Sequence, residues 1–205
     1  MSITLEASNL ICARGGRTVF RALSFSVGAG EFLCVEGANG AGKSSLLRLI
    51  AGFLTPAEGT IRLRTKDDEI VDGEERGKFA GFLGHQDAVK SQMTVMEQLS
   101  FFARLYGRPA AVTEALAAVG LARLADVPGQ YLSAGQRKRL ALARLKLSGR
   151  PLWLMDEPLA ALDSAGKTIA AELIAAHCAA GGIAVAATHE PLGIKCATLV
   201  LGNGT

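Results

Sequence analysis

The sequence predicts an α/β fold in which a mostly parallel sheet carries an antiparallel β part at its N-terminal end and a helical subdomain inserted between its two halves. Three observations predict it. Short, continuously apolar runs at residues 32–35, 152–155 and 183–187 have the pattern of strands covered on both faces. Residues 3–10 and 19–27 instead alternate apolar and polar side chains, as strands with one buried face do. From Thr94 to Leu147 the apolar spacing becomes helical, so strand and helix alternate at both ends of the chain around a block of helices.

The elements follow in order. The first two strands are separated by the turn-prone Arg14-Gly15-Gly16-Arg17, which predicts an antiparallel opening. Phe32-Leu33-Cys34-Val35 leads directly to Gly37, and a helix is expected from Lys43 to Ala51, where Gly52 stops it. After the turn at Thr55-Pro56-Ala57-Glu58-Gly59, residues 60–63 read as a strand, residues 66–76 as a polar, acidic loop and residues 79–83 as a short strand. Val95, Leu99, Phe102 and Leu105 recur at helical spacing, residues 111–119 continue it, and residues 133–147 form a third helix. A strand at residues 152–155, a helix at 164–179 and strands at 183–187 and 198–201 complete the chain.

A length of 205 residues suits one well-buried domain, taken here as residues 1–205 with the helical subdomain at roughly 87–150. The chain is 49% hydrophobic and 20% charged, with a mean hydropathy of +0.28, an apolar balance that hints at a partner surface. Net charge is only +3 and its cations are dispersed, so no nucleic-acid partner is expected. Cys12, Cys34, Cys178 and Cys196 form no CxxC pair and read as buried thiols in a reducing compartment. No secretory signal opens the sequence, and the most apolar stretch, residues 170–188, is broken by Glu172, His177 and Gly181-Gly182. Membrane association is therefore expected only through another protein.

Gly37-Ala38-Asn39-Gly40-Ala41-Gly42-Lys43-Ser44 fits GxxxxGK[ST] between a buried strand and a helix, the context a phosphate-binding loop requires. Glycines let the backbone wrap so that N–H groups point at phosphate oxygens, and the helix start, including Ser45, adds partial positive charge. Lys43 is assigned to the β- and γ-phosphates and Ser44 to Mg²⁺, which favours hard oxygen ligands. Asp156-Glu157 follows an apolar strand at the sheet's C-terminal edge, where ligands of such sheets bind. Asp156 is expected to support the Mg²⁺ water shell and Glu157 to polarise the attacking water. Leu132-Ser133-Ala134-Gly135-Gln136 precedes a basic helix; alone it would be a plain helix cap.

With that third motif the chain resembles the ABC ATPase family, whose fold is a P-loop NTPase core with a helical subdomain. The resemblance implies an ATPase that uses ATP and Mg²⁺ and works as a homodimer, with Ser133, Gly135 and Gln136 of one copy completing the site of the other. It further implies that Gln86 is a Mg²⁺ and catalytic Q-loop residue, that Leu159-Ala160-Ala161-Leu162-Asp163 is the D-loop, and that His189 contacts the γ-phosphate. Two positions depart from the family pattern. Arg14 stands where an adenine-stacking aromatic is usual, so a guanidinium plane would meet the base, and Ala160 replaces a common serine. His85 and His177 read as ordinary polar residues.

Gly84-His85-Gln86-Asp87, Lys90, Met93-Thr94-Val95-Met96-Glu97 and Arg150-Pro151-Leu152-Trp153-Leu154 resemble the family branch serving cytochrome c biogenesis. So do the Ser-Ala-Gly-Gln signature and Thr188-His189-Glu190-Pro191-Leu192. That branch implies placement on the cytoplasmic face of the bacterial inner membrane with the membrane proteins CcmB, CcmC and CcmD, and indirect service to the haem chaperone CcmE. No CxxCH or axial His/Cys arrangement in the residues themselves points to haem. An exporter ATPase for another substrate and a non-membrane ABC ATPase are the alternatives. Coupling to a membrane partner is expected around Gln86 to Met96, where an exposed patch at Met93, Val95 or Met96 would support it; the same residues could simply start a packed helix.

Overall fold

The computed structural model describes residues 3–202. Strands β1 (Thr4–Arg14) and β2 (Arg17–Gly28) form the antiparallel hairpin, and β4 (Glu58–Arg64) and the two-residue β5 (Glu69–Ile70) extend it in the order β2-β1-β4-β5. A second sheet, in the order β6-β7-β8-β3-β9, is parallel throughout and comprises β3 (Phe32–Glu36), β6 (Ala80–Leu83), β7 (Leu152–Asp156), β8 (Ile183–Ala187) and β9 (Ala197–Val200).

The apolar runs are explained by two cores on opposite faces of the parallel sheet. Leu33, Val35, Leu152, Leu154, Ile183 and Val185 point to one face, against α1 (Lys43–Ile50) and the antiparallel sheet. Their neighbours Phe32, Cys34, Trp153, Met155, Ala184 and Ala186 point to the other. There they meet α5 (Ala134–Ser148), α6 (Ser164–Ala179) and the helices α3 (Val95–Leu105) and α4 (Val112–Ala118). Alternation along a strand with both faces covered leaves no polar position, hence the unbroken runs.

Three expectations are corrected. The loop at residues 66–76 contains β5 and the short helix α2 (Gly73–Gly77), whose Asp72 cap accepts the Glu75 N–H at 2.9 Å. Within α3, Val95 and Leu99 are buried and Phe102 is half-buried, but Leu105 is 66% exposed. At 100° per residue Leu105 lies about 100° from the middle of the face shared by Val95, Leu99 and Tyr106. Cys12 and Cys34 are buried, whereas Cys178, in the last turn of α6, and Cys196, just before β9, are only half-buried. Among the described residues no helix is long and apolar enough to cross a membrane.

The suggested patch at the start of α3 is absent: Val95 is fully buried, and the half-buried Met96 packs on the core. Thr94 and Glu97 form a reciprocal cap there, so these residues start a packed helix. Among the large apolar side chains that do reach the surface are Phe53, Val71, Phe101, Leu105, Tyr131 and Val200.

Candidate functional site

The loop from Gly37 to Gly42 joins β3 to α1, and its glycines take conformations that other residues rarely adopt. Gly42 has φ of 101°, and a Cβ there would lie 2.5 Å from Val19 Cγ1 and 2.9 Å from Phe20 Cδ1. Gly42 is also the N-cap of α1 and supplies no side-chain cap, leaving backbone N–H groups at the helix start for an anion. Lys43 is buried, with Nζ donating to the carbonyls of Gly37 at 2.6 Å and Ala38 at 3.1 Å. The ammonium is thus stationed inside the loop's curve, where phosphate oxygens could replace those carbonyls as acceptors.

A cleft of about 510 Å³ opens over this loop. Asn39, Gly40, Gly42, Lys43, Ser44 and Ser45 form its floor, and Asp156, Glu157 and His189 form one wall. Asp156 ends β7 and is 6% exposed, with no ion-pair partner among the described residues. Glu157 follows with a left-handed φ of 50° while its N–H still bonds to Ala187 O at 2.8 Å. That backbone geometry is uncommon for a side-chain-bearing residue and is typical of functional turns. Its Oε1 lies 3.6 Å from His189 Nε2, which lies 3.0 Å from Asn39 Oδ1. An amide oxygen only accepts, so this contact is a hydrogen bond in the tautomer that carries its proton on His189 Nε2. The site therefore links the phosphate loop, the post-β7 acid and the post-β8 histidine.

The hydroxyl of Ser44 and the unpaired carboxylate of Asp156 line the same cleft, a hard-oxygen donor set that fits Mg²⁺. Among the described residues no group of three His, Cys, Asp or Glu side chains could hold a metal alone. A cation here would need oxygens from a bound phosphate as well.

Arg14 lines the cleft beside Val19, and Ala38 and Ala41 complete the loop backbone. Gln86 is exposed and lies outside the lining, whereas its neighbour His85, read from the sequence as an ordinary polar residue, lines the cleft. Arg48 was also not anticipated as a lining residue. Its spacing gives the signal, because it follows Ser44 by four positions on α1 and so shares its face. Asn39 was assigned to the phosphate loop, but its hold on His189 needs two segments far apart in sequence.

Ser133, Gly135 and Gln136 do not line this cleft. Ser133 Oγ accepts the Gln136 N–H at 3.2 Å, and Gln136 Oε1 accepts the Ser133 N–H at 2.8 Å, a reciprocal cap on α5. Ser133 and Ala134 are exposed. Gly135 sits against the segment after Glu157, where an added Cβ would lie 2.9 Å from Ala161 O, and Asp163 caps α6 by accepting the Gly166 N–H. His177 is structural: it stacks on Trp153 with ring centroids 3.9 Å apart, and burial lowers its pKa below the ordinary value.

Residues 20–160 match the family model described as ABC transporter. "Cytochrome c biogenesis ATP-binding export protein CcmA" of Rhodopseudomonas palustris strain BisB18 is 51% identical, over 97% of this chain and 98% of its own length. A protein of the same name from Nitrobacter winogradskyi is 48% identical with the same coverage of both chains. Among solved structures, a putative ABC transporter ATP-binding protein from Pyrococcus furiosus has a TM-score of 0.83 at 24% identity, covering 97% of each chain. A dimeric ATP-binding cassette described as a post-hydrolysis state bound to ADP and Pi has a TM-score of 0.81 at 23% identity, over 98% of this chain and 95% of its own. These last two likenesses concern the fold.

Proposed function

The chain belongs to the ABC transporter family and is an ATPase of that type, and from this premise we propose that it is the ATP-hydrolysing half of a two-copy clamp serving cytochrome c maturation. One observation carries the clamp: the cleft has a phosphate loop, an acid pair and a histidine, while Ser133 and the exposed start of α5 lie outside it. A second copy, turned to face the first, would bring its α5 start to the phosphates and complete the site.

In this reading the N–H groups of residues 38–45 and Lys43 bind the α-, β- and γ-phosphates, and Arg14 stacks on the base. Glu157 accepts a proton from the attacking water, and His189, held by Asn39, donates to the γ-phosphate. Ser44, Asp156 and Gln86 would hold Mg²⁺, which when bound would supply charge neutralisation for the phosphate oxygens. Gln86 would have to swing inward to take part. ATP binds better to the closed pair because each nucleotide touches both copies, and loss of the γ-phosphate favours opening.

The biological setting rests on relatives at 48–51% identity whose names specify cytochrome c biogenesis and export. The proposed complex lies on the cytoplasmic face of the bacterial inner membrane, with CcmB, CcmC and CcmD as membrane partners. Its hydrolysis cycle drives haem delivery and release of haem-loaded CcmE. The test is affinity purification of the Glu157→Gln chain from detergent-treated membranes with ATP. ATP should bind and trap dimers while turnover falls at least about a hundredfold. CcmB-type membrane protein and haem-bearing CcmE should copurify. Recovery of soluble nucleic-acid complexes alone, or turnover equal to wild type, would defeat the reading.

A further inference from the structure

The segment that follows Gln86 is fastened to the helix that starts at Ser133, through groups unused by the chemistry above. Lys138, in the second turn of α5, is 3% exposed, and its Nζ lies 2.9 Å from Asp87 Oδ1. The contact is off the line of a good hydrogen bond, and this buried oxygen has no hydrogen-bond donor among the described residues. Lys138 is thus the charge that balances Asp87. Farther along α5, Arg144 donates to Asp87 O at 3.1 Å and Ala88 O at 3.4 Å, with its guanidinium carbon 4.9 Å from the centre of the Phe102 ring of α3.

Gln98 of α3 ties down the rest of the segment. Its Oε1 accepts the Lys90 N–H at 2.8 Å, and its Nε2 donates to Met93 O at 3.0 Å. On the other side, β6 is locked into the parallel sheet through Leu83, opposite Met155. Between these anchors, Gly84, His85 and Gln86 make no hydrogen bond outside the strand ladder among the described residues. Residues 84–86 thus lie between the sheet anchor at Leu83 and a segment, residues 87–93, that is tied to α3 and α5.

We propose that Asp87 and Lys138 are positioning residues of the composite ATP site. Their ion pair, with Lys138 buried and Asp87 half-buried, is backed by Arg144 and makes the segment after Gln86 and the Ser133 helix one body. Nucleotide in a chain's own cleft then sets the attitude in which that chain offers Ser133 to the second copy. Desolvation offsets most of what a buried ion pair adds to stability, so its main effect is on geometry. The proposal rests on the clamp reading and adds the link between the two half-sites of one chain.

The test uses the Glu157→Gln chain as parent and compares it with the same chain carrying D87N and K138M, which removes both charges and leaves neither buried alone. Two quantities are read: affinity of a fluorescent ATP analogue at protein concentrations too low for dimers, and the ATP concentration giving half-maximal dimer in size-exclusion chromatography. Analogue affinity should stay within about twofold, while dimer formation should require about tenfold more ATP. An unchanged dimer midpoint overturns the proposal, as does an affinity loss large enough to account for the whole shift. If the double variant does not fold by circular dichroism, R144K, which keeps a cation but loses the two-carbonyl fork, must show the same split. An R144K chain matching its parent in both readouts also overturns it. Failure of the parent itself to dimerise with ATP defeats the clamp reading and this inference together, an outcome distinct from the others.

Discussion

At the scale of single residues, the chemistry depends on short-range geometry that motif spacing encodes well. That Lys43, Ser44, Asp156 and Glu157 would meet at one cleft was legible because each occupies a fixed place after a buried strand. His85, Arg48 and the Asn39–His189 contact were not, because they depend on side chains from separate elements reaching one cleft. His177 shows the same limit: a polar residue in an apolar helix turns out to stack on Trp153 with Nε2 3.1 Å from Ile183 O. Its burial lowers its pKa, so below about pH 6.5 the unfolded chain takes up a proton more readily than the folded one. The contribution of neutral His177 is fully present above that pH and is lost as pH falls through the window beneath it. Urea midpoints of wild type and His177→Phe, measured at pH 7.5 and 5.5, should show a smaller acid-induced drop in the variant. Equal drops would show that His177 is not the group responsible.

At the scale of elements, local signals placed most boundaries: the caps Thr94, Ser133 and Asp163 start α3, α5 and α6 near the expected positions. Residues 66–76 were misread because a short, polar helix has no apolar period to reveal it. What secures it is Arg76, 3% exposed, which donates to Leu49 O, Ile50 O, Ile61 O and Val71 O. Two of those carbonyls belong to the last turn of α1, so a cation from a distant segment caps the helix that follows the loop at residues 37–42. Arg76→Met should cost about 2–4 kcal/mol in urea unfolding, since it strands buried acceptors. A change under about 0.5 kcal/mol would mean that water or backbone adjustment satisfies them instead.

At the scale of the whole molecule, an exposed Ser133 and a cleft that lacks it make a specific prediction about stoichiometry. In the Glu157→Gln background, a Lys43→Ala chain lacks the phosphate-loop cation, and a Ser133→Arg chain lacks the signature contact. Neither should dimerise with ATP alone. Mixed together they form one site with both lesions and one with neither, so the mixture should dimerise and retain one nucleotide per pair. If mixing restores nothing, the two halves do not complement each other across an interface. The composition hinted at a partner surface, but only the fold shows that the exposed large apolar side chains include Phe53, Val71, Phe101, Leu105, Tyr131 and Val200 rather than the residues at the start of α3.

The sequence by itself determined the class of fold, the order of most of its elements and the glycine-rich turn between β3 and α1, because strand burial, helix capping and loop glycines act over a few neighbouring residues. Only the tertiary structure decided how those parts are connected. It showed Asn39 holding His189, Arg76 capping α1, Gln86 outside the cleft, and Asp87 paired with Lys138. Each depends on side chains that are far apart in sequence and become neighbours only when both faces of the parallel sheet are covered. Sequence spacing carries no record of such contacts.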